Sequence, residues 1–408
     1  MIQLVLHSRR HSINQFNLVS KTICYPIACF AAAVVFAGGA ARGADAPARF
    51  LGANSCSSSS CHGGGGANQN QFLAWSLKDF HSHRPVATLA TARSKQIADA
   101  LNIKDATADD RCTVCHAPLN AVPENLHGDN FKVSEGVSCE SCHGPAENWI
   151  RSHTRTDYTR ADRTAAGMRD LQNLYVRANT CVACHQNVDA DILKAGHPEL
   201  IFELDGQSVA EPRHWSAEKN GGGAQAWFVG QFVSLREMSW QIAQEKSPTE
   251  NQINRWSGLF WVSKIALRSI SDMVGDKTLP TAPAEAVEAA EPVRSEADKT
   301  AQHYAAAAWT DDQTRKMLFA VAASSGSFRD SSVSQNLQAR RAERVVLALD
   351  RLVAALPELK NNEPVQSSLN QLFKLAQSIP DFDSAKFAAG LDTFSIALAR
   401  TNSAMTPK

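Results

Sequence analysis

Eight cysteines between Cys56 and Cys184 fall into four short motifs, and each motif ends in a histidine. They read Cys56-Ser-Ser-Ser-Ser-Cys61-His62, Cys112-Thr-Val-Cys115-His116, Cys139-Glu-Ser-Cys142-His143 and Cys181-Val-Ala-Cys184-His185. Three have the C-x-x-C-H spacing of covalent haem attachment. Two thiols add across the two vinyl groups of one porphyrin, and the adjacent histidine is thereby held under the iron as an axial ligand. Two intervening residues let a single helical turn present both sulfurs. The first motif has four intervening residues, but His62 stands where the same chemistry needs it. The expected cofactor is therefore four covalently bound haem c groups. The eight cysteines anchor them, and His62, His116, His143 and His185 are the proximal ligands.

Rival chemistries explain less of the pattern. The Cys112/Cys115 and Cys139/Cys142 pairs are spaced much as in a zinc ribbon, yet zinc gives no reason for a histidine after every second cysteine. A thiol redox C-x-x-C has no use for that histidine either. Disulfides suit an exported chain, but two-residue loops are poor staples.

An iron with a histidine on one side has a second axial position. A further histidine there gives a closed, low-spin centre suited to electron transfer, whereas an empty position can bind substrate. Beyond residue 46 the chain has eleven histidines, and seven remain once the proximal four are set aside. His153 follows Trp149-Ile-Arg-Ser, ten residues beyond His143. His197 stands in Ala-Gly-His-Pro and His214 in Pro-Arg-His-Trp, where the fixed backbone of proline can aim a ligand. His81 and His83, two apart in Asp-Phe-His-Ser-His-Arg, offer one ligand between them. The set taken here is His83, His153, His197 and His214, with His81 an even alternative to His83. That supply closes all four irons. His127 reads as a loop residue, and His303 lies in the remote half. The 27 residues between His116 and His143 suggest neighbouring haems. Arg151, Arg155, Arg160, Arg163, Arg169 and Arg177 form a basic stretch that either pairs with haem propionates or makes a solvated helix face.

The string Gly136-Val-Ser-Cys139-Glu-Ser-Cys142-His143-Gly-Pro145, with Trp149 and His153 behind it, resembles the tetrahaem cytochrome c-554 family. The opening Phe50-Leu-Gly-Ala-Asn-Ser-Cys56, followed by Trp75 and His81/His83, is similar to the start of the same module. The resemblance covers about residues 50–215. It implies a mostly helical haem module in the periplasm that carries electrons between redox partners. The chain departs from the family in the wide first motif, and it has no cysteine after Cys184.

Export is also written in the N-terminus. Residues 1–44 carry Arg9, Arg10, Lys21 and Arg42 and no acid, and an apolar run ends in small residues. This is the pattern of a signal peptide, expected over 1–46, which would take Cys24 and Cys29 with it. Membrane anchoring arises only if that segment stays uncleaved. Lys+Arg and Asp+Glu each total 41, so no basic excess advertises nucleic acid.

The elements that position these residues divide in two. Residues 47–220 are poor in long apolar runs, so porphyrin faces would have to complete the core of this tetrahaem cytochrome c module. From 221 to 408 the apolar period becomes helical. Phe228, Phe232, Leu235, Met238 and Ile242 form one stripe, Leu259, Val262, Ala266, Ile270 and Met273 a second, and Val345, Leu349, Leu352 and Leu356 a third. An exposed linker is expected over 281–293. The fold class is mainly α: a loop-rich tetrahaem module followed by an antiparallel helical bundle. The expected function is a periplasmic tetrahaem c-type cytochrome with low-potential, largely bis-histidine haems, relaying electrons between a protein donor and a protein acceptor. It reads as a carrier more than a catalyst. The alternative is a multihaem oxidoreductase acting on a small nitrogen or sulfur compound at one five-coordinate haem.

Overall fold

The computed structural model describes residues 47–66, 69–215, 223–245, 247–271, 286–377 and 381–405; the leader expected over 1–46 lies outside them. The chain is mainly helical. Among the described residues the extended pairings are two isolated bridges, Phe50 with His127 and Ser82 with Gly136.

The first half consists of short helices separated by turns: α1 (Gln71–Lys78), α2 (Arg84–Leu89), α3 (Ala92–Ala100), α4 (Asp110–His116), α5 (Cys139–His143), α6 (Arg160–Ala165), α7 (Leu174–His185), α8 (Ala190–Lys194) and α9 (Leu204–Ala210). Side chains fix the starts of several of them. Asp109 caps α4 by accepting from Arg111 N, and Asn173 caps α7 by accepting from Tyr175 N and Val176 N. The apolar core here is thin. Leu89, Ala98, Ile103 and Ala106 make one small cluster, and Trp75 and Trp149 are the large buried side chains before α7.

Longer helices follow: α10 (Ala224–Gln244), α11 (Glu250–Ile270), α12 (Ala286–Ala306), α13 (Asp311–Ala322), α14 (Gln335–Ala354), α15 (Pro357–Lys360), α16 (Glu363–Ala376) and α17 (Ser384–Met405). The stripe read on α10 is buried along its length, with Trp227 added to it. Thr249 and Gln252 cap α11 reciprocally, as do Thr310 and Gln313 for α13. Met273, read as the end of the second stripe, lies outside the described residues. The stretch expected to be a linker is helical from Ala286 onward, with Pro292 inside the helix. Proline costs about 3 kcal/mol in a helix interior. Burial of Ala289, Ala290, Val293, Ala297 and Ala301 offsets it, because these small side chains let α12 lie closely on α10.

The main core does not stop at residue 220. Leu174, Ala178 and Val182 of α7, and Phe202 and Leu204 beyond it, belong to the same buried cluster as α10 to α17. Val182 lies between Cys181 and Cys184, so the fourth motif rests on the helical core. Polar contacts repeat the connection. Tyr175 Oη donates to Asp298 Oδ1 at 2.6 Å, and Arg236 donates to Asp298 and to Asn179. Buried Gln186 accepts from Ser234 Oγ at 2.6 Å and from Phe202 N at 3.2 Å.

At the start of α9, Glu203 accepts from Asp205 N and Gly206 N while only 8% exposed. Burial pushes its carboxyl from 4.5 up to about 7. The folded chain therefore keeps a proton that the unfolded chain has released between those values. The associated stability is fully present below about pH 4.5 and is lost as pH rises to about 7, about 3 kcal/mol in all. Glu203→Gln should remove this component. Denaturation midpoints at pH 5 and pH 8 should separate more in the wild type than in the variant, and parallel profiles would refute the assignment.

Candidate metal centres

The four motifs occupy four local frames. Cys112, Cys115 and His116 end α4, and Cys139 to His143 are α5 in full. Cys181, Cys184 and His185 end α7. Cys56 closes the short 3-10 turn Ala53–Cys56, and a further turn brings Cys61 and His62 round, with His62 N donating to Cys56 O at 3.1 Å. The extra two residues of the first motif are thus taken up in a turn. All eight thiols are free of disulfides. Burial pushes Cys142 and Cys181 up to about 12, so neither is a thiolate at neutral pH. Among the described residues, no three cysteine or histidine ligands converge on one point as a zinc site would require; the group that does converge is Asp79, His81 and Glu211.

The thiols of different motifs meet in pairs. Cys56 lies within hydrogen-bonding reach of Cys139, and Cys115 within reach of Cys184. Cys142 and Cys181 are near enough for their charges to interact. The chain folds back between motifs, so the first meets the third and the second meets the fourth.

Each proximal histidine has a second histidine near it. An imidazole nitrogen binds a metal at about 2.0–2.1 Å, so two imidazoles across one metal have ring centres about 6 Å apart. His62 and His153 are 6.1 Å apart, His81 and His185 5.9 Å, and His116 and His197 6.4 Å, centre to centre. His143 is half-buried, with its Nδ1 enclosed. Burial, with His214 the strongest charged neighbour, pushes its imidazole down to about 4.

The outer nitrogens are mostly engaged. His62 Nδ1 bonds Gln71 Oε1 at 2.9 Å, His81 Nδ1 bonds Asp79 Oδ1 at 3.0 Å, and His116 Nδ1 bonds Pro85 O at 3.0 Å. His153, His197 and His214 use Nδ1 on the carbonyls of Ile150, Pro198 and Pro212. The amide of Gln207 stands 3.5 Å from His185 Nδ1, while His143 Nδ1 is buried without a partner. A donor bond at Nδ1 fixes the tautomer and leaves Nε2 as the ligand atom, the usual outer-shell arrangement of a metal-bound histidine. Three imidazole pairs therefore have the spacing that fits an iron between them.

His81 rather than His83 faces a proximal ring. His83 is exposed at the start of α2, has φ 58°, and bonds Ser134 O through Nδ1. His127 bonds Val122 O and stacks on Phe131, and His303 packs on Tyr304, far along the chain. The basic stretch is partnered locally. Arg155 and Arg160 pair with Asp157 and Asp170, while Arg163, Arg169 and Arg177 donate to backbone carbonyls. The outer partners Asp79 and Gln71 escaped the sequence reading. Asp79 carried one local signal, a carboxylate two residues ahead of a histidine.

Residues 55–144 match the family model for cytochrome c554 and c-prime. The chain is a multihaem c-type cytochrome resembling that family over this segment, with covalently bound haem c and a role in electron transfer. The fourth motif lies beyond the matched residues. No curated protein and no solved structure matches the chain. No helix among the described residues is long and apolar enough to cross a membrane.

Proposed function

We propose that this chain is an exported tetrahaem cytochrome that relays electrons between periplasmic protein partners through four bis-histidine haems. The ligand pairs are His62 with His153, His116 with His197, His143 with His214, and His185 with His81 in place of His83. The observation that carries the reading is the spacing of three histidine ring pairs, 5.9 to 6.4 Å between centres. Each haem, when bound, supplies one electron-accepting iron. The chain's residues hold the imidazoles on both sides and fix the tautomers of six of the eight through Nδ1. The proximity of the thiols supports a spatial order of second, fourth, third and first motif. Export by residues 1–46, and a tetrahaem module followed by an antiparallel helical bundle whose core also takes in α7, belong to the same proposal.

The test is the visible spectrum of the matured protein, oxidised and reduced, with and without carbon monoxide. A wholly low-spin spectrum that carbon monoxide leaves unchanged is expected. A high-spin band with a carbon monoxide shift on part of the haem would overturn the closed ligation and direct attention to substrate chemistry at that iron.

A further inference from the structure

We infer that the helical half is a ligand clamp: Glu199, gripped by Arg340 and Arg255, is a positioning residue that holds His197 opposite His116. The inference rests on the ligand pairing proposed above and gives the helices beyond residue 223 a role in that chemistry.

His197 sits in a segment closed by its own backbone bonds, His197 N to Ile192 O and Gly196 N to Leu193 O, but with little burial. It follows α8, five residues long with no buried side chain, and Gly196 before it turns the chain with φ 109°. Its own ring bonds only the adjacent Pro198 O among hydrogen-bond partners. A ligand on such a segment must be ordered by its surroundings, at a loss of conformational entropy. The surroundings act from two sides. From the first half, Arg93 donates to Gly196 O at 2.7 Å. From the second, Arg340 Nη2 donates to both oxygens of Glu199, at 2.8 and 3.1 Å. Arg255 Nε lies 3.7 Å from the same carboxylate, and Arg255 Nη2 donates to Leu200 O. Asn251 donates to Glu199 and accepts from Arg340 at 2.8 Å.

The grip stands on two core helices, with Glu199 itself at the surface. Arg255 is on α11 and Arg340 on α14, and Arg255 is 6% exposed. The two helices close on each other at Gly258, where an added Cβ would lie 3.0 Å from the carbonyl of Arg340. Glycine there lets the two guanidinium groups converge on one carboxylate. Phe202, fully buried in the same core, fixes the chain three residues after Glu199. His197 thus stands two residues from an anchor that belongs wholly to α11 and α14.

The matured holoprotein tests this with three variants, His197→Ala, Glu199→Ala and Glu199→Gln. Each is scored beside the wild type for high-spin character, for the fraction of haem that binds carbon monoxide, and for thermal midpoint. His197→Ala should open about one haem in four. Glu199→Ala should open part of that same quarter, and Glu199→Gln, which still accepts from Arg340 and Asn251, should stay near wild type. A Glu199→Ala protein as closed as wild type, while His197→Ala opens, would overturn the clamp and leave the ligand pairing intact. If His197→Ala leaves every haem closed, the pairing itself falls, and the clamp with it. Should Glu199→Ala fail to mature, Arg340→Ala, which removes the guanidinium that meets both Glu199 oxygens, is scored against the same outcomes.

Discussion

Expressed in a cytoplasm from residue 47, where haem is not attached, the chain is expected to keep the helices from α7 onward and to lose the order of residues 47–170. The reason is the uneven distribution of buried apolar surface. From α7 to α17 one cluster includes Trp227, Trp256, Phe228, Phe232, Phe328, Phe387 and Phe394, each at most 2% exposed. Before α7 the buried set is Trp75, Trp149, a few aliphatics and several alanines. At about 25 cal/mol per Å² of buried apolar surface, such a set cannot offset the backbone entropy of more than a hundred residues. On the proposed ligation the porphyrins supply the missing surface, as a structural metal does for a small domain. Limited proteolysis reads the result directly. The apo chain should be cut throughout 47–170 and leave a resistant fragment beginning near Leu174, while the holoprotein resists over the same stretch. An apo chain protected over 47–170 to the same degree as the holoprotein would refute the argument.

The boundary of that fragment differs from the one that composition suggests. Apolar periodicity changes near residue 221, because there the helices become long enough for a stripe to be read. Packing changes earlier, at α7. Leu174, Ala178 and Val182 are three apolar residues in a helix that also carries Cys181, Cys184 and His185, and nothing local says which side of it meets the bundle. The same limit applies to the sites. The C-x-x-C-H spacing is a local covalent requirement, so it was legible at once. The partner of each proximal ring is a long-range fact, and counting histidines yields only candidates. His81 and His83 illustrate this. Both lie on one turn, and the side that faces His185 is set by Asp79 on His81 Nδ1 and by the positive φ of His83. The Glu199 grip joins residues 141 positions apart and had no signature in the sequence at all.

Replacing Glu140 by alanine should cost the holoprotein more stability than any other single carboxylate change before α7. Glu140 lies between Cys139 and Cys142, where haem attachment itself asks nothing of it, yet it is 1% exposed. Its Oε1 accepts from Leu51 N at 2.9 Å and Ala146 N at 2.7 Å, and its Oε2 accepts from Gly52 N at 2.7 Å. Glu135 takes the next donor in line, Ala53 N, at 3.0 Å. Two carboxylates thus gather the three successive N–H groups that lead into Cys56, and they seat that segment on α5. This local arrangement puts Cys56 beside Cys139. Burial pushes the Glu140 carboxyl up, and the three donors pull it back. Glu140→Ala leaves those donors enclosed and unpaired, at about 1–3 kcal/mol each, less what is recovered by no longer burying a carboxylate, for a net loss of about 3–5 kcal/mol. Glu140→Gln retains Oε1 for Leu51 and Ala146 but turns an N–H donor toward Gly52, so its loss should fall between wild type and alanine. Denaturant unfolding followed at the Soret band measures both. An alanine variant within about 1 kcal/mol of wild type would mean that Cys56 is held by the haem bonds alone, because a lost hydrogen-bond set of this kind exceeds that figure.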